Sequence, residues 1–174
     1  NYCATLENAK MVEVCSTTLP QKALPLIQEH PEYQNYLEER RRAISERSEI
    51  ISEHLNDIPF VTFNKTNGAF YNTIVFKDGS LNNLQKLEIV DPEAKKLAES
   101  WVDRIGEPDK RFVYYLLAAK GVCVVPLSSF QSELRGFRIT LLEENKEVLH
   151  ETFSKIADAI NEFCTSDVKE EAVA

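Results

Sequence analysis

The chain is short of the residues that mark several common chemistries. Its 174 residues include 5 glycines, 3 histidines, 1 methionine and 1 tryptophan. There is no glycine-rich phosphate cradle and no G-x-S-x-G nucleophile elbow. His30, His54 and His150 are scattered, and no pair has metal-ligand spacing, so each reads as a surface or capping residue. None of Cys3, Cys15, Cys123 and Cys164 forms a C-x-x-C pair. Cys123 lies in an apolar run and reads as a buried, reduced thiol, which points to a reducing, cytoplasmic setting. Positive charge is scarce as well. The formal net charge of -8 argues against nucleic acid and anionic membranes as partners. Arg40-Arg41-Arg42 is flanked by Glu38, Glu39 and Glu46 and reads as a solvated helix face. No stretch approaches the roughly 18 apolar residues of a membrane span. No charged segment followed by an apolar one opens the sequence, so no signal peptide is expected, and Asn64-Lys65-Thr66 reads as a chance sequon. A chain that starts at Asn1, with Met11 as its one methionine, is expected to be a piece of something longer.

What is present suits a soluble globular domain. Hydrophobic residues make up 43% and charged residues 28%, on a length sufficient for a real core. A short helix is expected near Leu6 and Met11, and another from Pro20 to about Glu29, with Pro25 against it. The clearest helix covers 32–56, where Tyr33, Tyr36, Leu37, Ile44, Ile51 and Leu55 recur at helical spacing. At 1.5 Å per residue it spans roughly 35 Å, a length suited to bridging two bodies. Strands at 60–63 and 69–76, joined through Asn67-Gly68, read as a hairpin. Asp91-Pro92 opens a helix that is expected to run to about Ile105, before Gly106. Another runs from Pro108 or Asp109 to Lys120, with Gly121 as its stop. Strands at 122–125 and 137–142 follow. A last helix, from about Glu144 to Phe163, carries an apolar face of Val148, Phe153, Ile156, Ala157, Ile160 and Phe163. Residues 165–174 are polar and acidic and are expected to be disordered. This order gives an α+β fold, a small and mostly antiparallel sheet covered by helices.

The densest signal is residues 112–142. An apolar helix stops at Gly121. The run Gly121-Val122-Cys123-Val124-Val125-Pro126 leads through Ser128-Ser129-Phe130 to Phe137-Arg138-Ile139-Thr140. By strand alternation Arg138 points away from the face of Phe137 and Ile139. That fits a surface arginine in a salt bridge. It also fits a carboxylate clamp, because a planar guanidinium makes two parallel charge-assisted bonds to a carboxylate.

Together with Lys10-Met11-Val12-Glu13-Val14-Cys15, Pro20-Gln21 and Asn67-Gly68-Ala69-Phe70-Tyr71, this pattern resembles the class I/II, fold-type I pyridoxal-phosphate-dependent aminotransferases. The alanine aminotransferase-like branch is the nearest in kind, and the likeness covers about Met11 to Glu162. The resemblance implies the following organisation. Residues 1–31 end the large domain, 32–56 form the interdomain helix, and 57–164 form the C-terminal small domain. Arg138 grips the α-carboxylate of an amino-acid substrate. Tyr71 and Ser128 are candidates to line the cleft, although a core or interface role fits Tyr71 equally and loop capping fits Ser128. The pyridoxal 5'-phosphate cofactor, its Schiff-base lysine and its phosphate loop belong to the large domain, and Lys10 lies outside the family's Ser-x-x-Lys setting. The partners implied are an amino acid, a 2-oxo acid and a second copy of the parent enzyme. Leu127 and Gln131 depart from the pattern by standing where members carry glycine. Without the resemblance, a freestanding small-carboxylate-binding or oligomerisation module also fits the residues.

Overall fold

The computed structural model describes residues 2–12, 17–66 and 68–166. The chain divides into two compact units, Asn1–Arg40 and Arg41–Ala174. In the first, helix α1 spans Tyr2–Met11 and helix α2 spans Thr18–Gln28, and neither contains a buried residue. Helix α2 continues across Pro25, whose place in the third turn does not end it. Helix α3, Tyr33–Leu55, starts in the first unit and ends in the second. Its buried residues, among them Ile50, Ile51 and Leu55, cluster in its second half.

The second unit is built on an antiparallel four-stranded sheet. Strand β1 is Val61–Phe63, β2 is Tyr71–Phe76, β3 is Val125–Pro126 and β4 is Gly136–Thr140. Their spatial order is β1-β2-β4-β3. Strands β1 and β2 form the expected hairpin, although Asn67 of its turn lies outside the described residues. Helix α4, Pro92–Val102, is capped by the Asp91 side chain, which accepts from the Ala94 N–H. It ends at Asp103, earlier than the expected stop near Gly106. Helix α5, Pro108–Lys120, ends at Gly121, whose φ of 70° is a left-handed stop that glycine adopts without strain. Helix α6, Lys146–Cys164, is capped by Asn145. Beyond Ser166 the expected acidic tail lies outside the described residues.

In this unit the core lies between one face of the sheet and the end of α3 with α4, α5 and α6. Ile74, Phe137, Phe112 and Phe163 are fully enclosed. Phe112 meets Phe137 at 5.5 Å and Phe163 at 5.3 Å between ring centres, within the range of favourable aromatic pairs.

Three expectations need correction. Of the strand expected at 122–125, only Val125 joins the ladder, followed by Pro126. A cleft of about 200 Å³ is bordered by Val122, Cys123 and Val124 and by Ile139 and Thr140, and the ladder does not continue across it. The apolar character of Val122 and Val124 comes from packing on the core. Cys123, outside the ladder, is exposed, and among the described cysteines the buried one is Cys164. On α6 the inward residue of the first turn is Leu149, while Val148 is 42% exposed.

Candidate functional site

The sheet has two unlike faces. Asn72, Ile74, Phe76, Phe137 and Ile139 are buried on the helix-covered face. Tyr71, Thr73 and Val125 lie on the open face with Arg138, since Thr73 and Val125 are the ladder partners of Arg138 on either side. Directly paired residues share a face, so a period-2 strand puts the guanidinium where a ligand can reach it.

Two aromatic rings hold it there. The guanidinium carbon lies 4.3 Å from the ring centre of Tyr71 and 4.2 Å from that of Phe130. Tyr71 faces Thr140 in the register, so it reaches Arg138 diagonally from the β2 side. Phe130 ends the 3-10 turn Leu127–Phe130, which follows β3 on the opposite side of β4. The ring of Phe70 leans on Tyr71 at 4.4 Å. Among the described residues no carboxylate pairs with Arg138. Some other cations are paired. Arg47 donates to the Leu141 carbonyl and lies 3.5 Å from Glu144, and Lys65 pairs with Glu49. Past Tyr71 the open face continues into a depression of about 400 Å³ lined by Thr62, Lys65, Thr66 and Thr73.

The turn bearing Phe130 is anchored from below. Asp109, at the start of α5, is fully buried. Its carboxylate accepts from the Ser128 N–H at 2.9 Å, the Lys110 N–H at 3.0 Å and, weakly, the Gly136 N–H at 3.5 Å. A single side chain therefore ties α5 to the turn and to the first residue of β4. Ser128 contributes through its backbone. Its hydroxyl is buried and finds no partner among the described residues. Gly136 has to be glycine, because a Cβ there would run into the Ile74 carbonyl oxygen and come within 3.0 Å of the Val75 Cα.

The two departures from the glycine pattern differ. Leu127 is 7% exposed, so its side chain is accommodated inside the protein. Gln131 sits at φ 56°, in the left-handed region that favours glycine. Ala69, at φ 60°, is the other non-glycine residue of this kind among the described ones. One precedes the Tyr71 wall and the other follows the Phe130 wall. Strained positions of this sort persist only where the surroundings over-determine them.

His54 and His150, which look unrelated in sequence, meet away from this face with ring nitrogens 3.0 Å apart. Burial, and then the charge of His150, holds the His54 pKa below its ordinary value. Among the described residues no group of three or more His, Cys, Asp or Glu could hold a metal. No described helix is long and apolar enough to cross a membrane.

Residues 2–156 match the family described as aminotransferase class I and II. The chain belongs to that family. An uncharacterized aminotransferase of Methanocaldococcus jannaschii is 46% identical over 162 residues, which are 93% of this chain and 37% of that protein. The aspartate aminotransferase of Rhizobium meliloti matches with a TM-score of 0.61 and 26% identity, over 85% of this chain and 32% of that one. The alanine aminotransferase of Pyrococcus furiosus shares the fold with a TM-score of 0.64 and 24% identity, over 89% and 33%. The chain thus spans about a third of the length of the aminotransferases it matches.

Sequence reasoning put Arg138 and Tyr71 at the site, and in the structure they meet. Ser128 lies in the supporting turn, one of its hydrogen bonds away from Asp109. Asp109 and Phe130 were missed as site residues. The sequence signal for Phe130 was its place in the family's loop, whereas Asp109 shows only as an acid in the first turn of a helix, an ordinary place for one.

Proposed function

We propose that this chain is the C-terminal part of a pyridoxal-phosphate-dependent aminotransferase that moves an amino group between an amino acid and a 2-oxo acid, and that Arg138 binds the α-carboxylate of both. In this reading residues 1–31 end the large domain, 32–56 are the interdomain helix and 57–164 are the small domain of an enzyme that works as a homodimer. The carrying observation is the Arg138 guanidinium, held between two rings with no carboxylate partner among the described residues. A cation stacked on aromatic faces keeps its in-plane N–H donors, and those donors match a carboxylate two for two.

The cofactor supplies the electron sink for amino transfer when bound. The described residues of this chain do not fit it. Among the described residues no lysine is buried, and Lys65, Lys110, Lys120, Lys146 and Lys155 are paired with glutamates. The Schiff-base lysine and the cofactor's seat are therefore assigned to the part of the enzyme outside this chain. The contribution of this part is to bind and orient the substrate.

The test is made on the full-length enzyme. A charge-assisted pair is worth about 1.5–3 kcal/mol, so Arg138→Ala should raise KM for both the amino acid and the oxo acid roughly 10- to 150-fold. Arg138→Lys should fall between, and the cofactor absorbance should not change. The 174-residue chain alone should catalyse no transamination. An unchanged KM, or activity in the isolated chain, would overturn the reading. Tight alanine binding by the isolated chain, lost in Arg138→Ala, would favour a freestanding binding module instead.

A further inference from the structure

We infer that Tyr71 and Phe130 are positioning residues that hold the Arg138 guanidinium by its faces, leave only its edge to an anion, and so select planar carboxylates over tetrahedral anions. This rests on the reading that Arg138 meets the substrate.

The sheet order makes such a clamp possible. β4 lies between β2 and β3, so an arginine at its centre has a neighbour on each side of the open face. Tyr71 comes from the β2 side and Phe130 from the β3 side, each with its ring just over 4 Å from the guanidinium carbon. Arginine is the cation suited to this arrangement, because its planar group is weakly hydrated and stacks on ring faces while its donors stay free at the edge. Each wall has its own support. Phe70 leans on Tyr71, and the Phe130 turn hangs from the buried Asp109 carboxylate through the Ser128 N–H. Gln131 closes that turn in a left-handed conformation, with its N–H donating to the Ser128 carbonyl at 3.2 Å.

The chemical consequence concerns shape. Both oxygens of a carboxylate lie in the guanidinium plane when it binds edge-on. A sulfonate or phosphonate of equal reach carries at least one further oxygen out of that plane, on the side where a ring stands. Ring faces are electron-rich, so that oxygen meets repulsion as well as bulk. Removing one wall opens that side and also frees the guanidinium to turn.

Propionate and ethanesulfonate separate shape from charge, since both are small monoanions. Both would be measured as competitive inhibitors of the full-length, cofactor-loaded enzyme against its amino donor. Native enzyme should favour propionate by about tenfold or more, the scale of one well-placed stacking contact. In Phe130→Leu and Tyr71→Leu that ratio should fall to within about threefold, with propionate itself bound less tightly. Phe130→Tyr and Tyr71→Phe, which keep the rings, should retain it. Phe130 is 46% exposed and Tyr71 40%, so these changes do not open the core. Native enzyme without preference, or leucine variants with the native ratio, would overturn the clamp while Arg138→Ala still weakened both inhibitors. If Arg138→Ala left both inhibition constants unchanged, the reading of Arg138 itself would fall and the clamp with it.

Discussion

Removing the Asp109 carboxylate should loosen the two segments that bring Phe130 and Arg138 together. Asp109→Ala strips the acceptor from the Ser128 N–H, a charge-assisted bond of 2.9 Å, and from the Gly136 N–H, whose 3.5 Å contact adds little. A lost charged bond that leaves a donor unpaired costs about 1.5–3 kcal/mol. The favourable place of an acid at the start of α5 adds about 0.3–1 kcal/mol. Relief of burying a charge returns part of this. The net loss should be about 2–3 kcal/mol, or a fall in Tm of roughly 4–12 °C for a chain of this size. Asp109→Asn keeps one carbonyl acceptor and should lose about half as much. Urea unfolding of the 174-residue chain measures both. Trp101, edge-on to Tyr114 at 5.4 Å, supplies a fluorescence signal from the α4–α5 packing. The slope with urea should stay constant and the midpoint should move. An Asp109→Ala loss below about 0.5 kcal/mol, within the scatter of ordinary surface changes, would refute the assignment of Asp109 as the anchor of the turn.

Gln131→Gly should stabilise the chain by about 0.5–1 kcal/mol, because a left-handed non-glycine residue costs about 1–2 kcal/mol and glycine's added freedom when unfolded takes back about 0.5–1. A lower Tm in that variant would mean that the Gln131 side chain makes a contribution of its own. The His54–His150 pair should make stability depend on pH. The folded pKa of His54 lies below 6.5, so its contribution is present above that value and is lost as the pH falls, when the unfolded chain takes up the proton more readily. Glu53 and Asp158 oppose this without reversing it. His54→Gln should flatten the loss of stability between about pH 7 and pH 5, and denaturation curves that stay parallel to wild type would contradict it.

The parts of the fold that read easily from the sequence were those whose signal is local. Asp91-Pro92 at the start of α4 and Gly121 after α5 are chemical stops and starts, and helix α3 shows its apolar period over six turns. Errors came where burial is decided at a distance. Residues 122–124 look like a strand because Val122 and Val124 are β-branched and apolar, yet both pack on the core, Cys123 is exposed and the ladder does not reach them. Val148 and Leu149 are adjacent leucine-like residues, and the packing of α6 selects the second. Residues 81–90, which carry neither helical nor strand periodicity, are fixed by the buried Gln85, which accepts from the Asn82 N–H and donates to the carbonyls of Ser80 and Cys164, the last 79 positions away. The site divides in the same way. Arg138 on the open face follows from alternation alone. The clamp around it needs β4 inserted between β2 and β3, a strand order that no local pattern states.

That inserted strand also bears on how the protein is made. The hairpin of β1 and β2 emerges from the ribosome before α5, β4 and α6, with Ile74 and Phe76 facing a core that is not yet complete. The core they join includes Phe112, Phe137 and Phe163, and the last of these is roughly 90 residues downstream of Phe76. At about 5–20 residues per second, translation leaves the apolar side of the hairpin bare for roughly 4–18 s. During synthesis it is therefore a ready client for chaperones that bind extended apolar strands. Any slowing of translation between β2 and α6 lengthens that exposure without changing a single residue of the finished molecule.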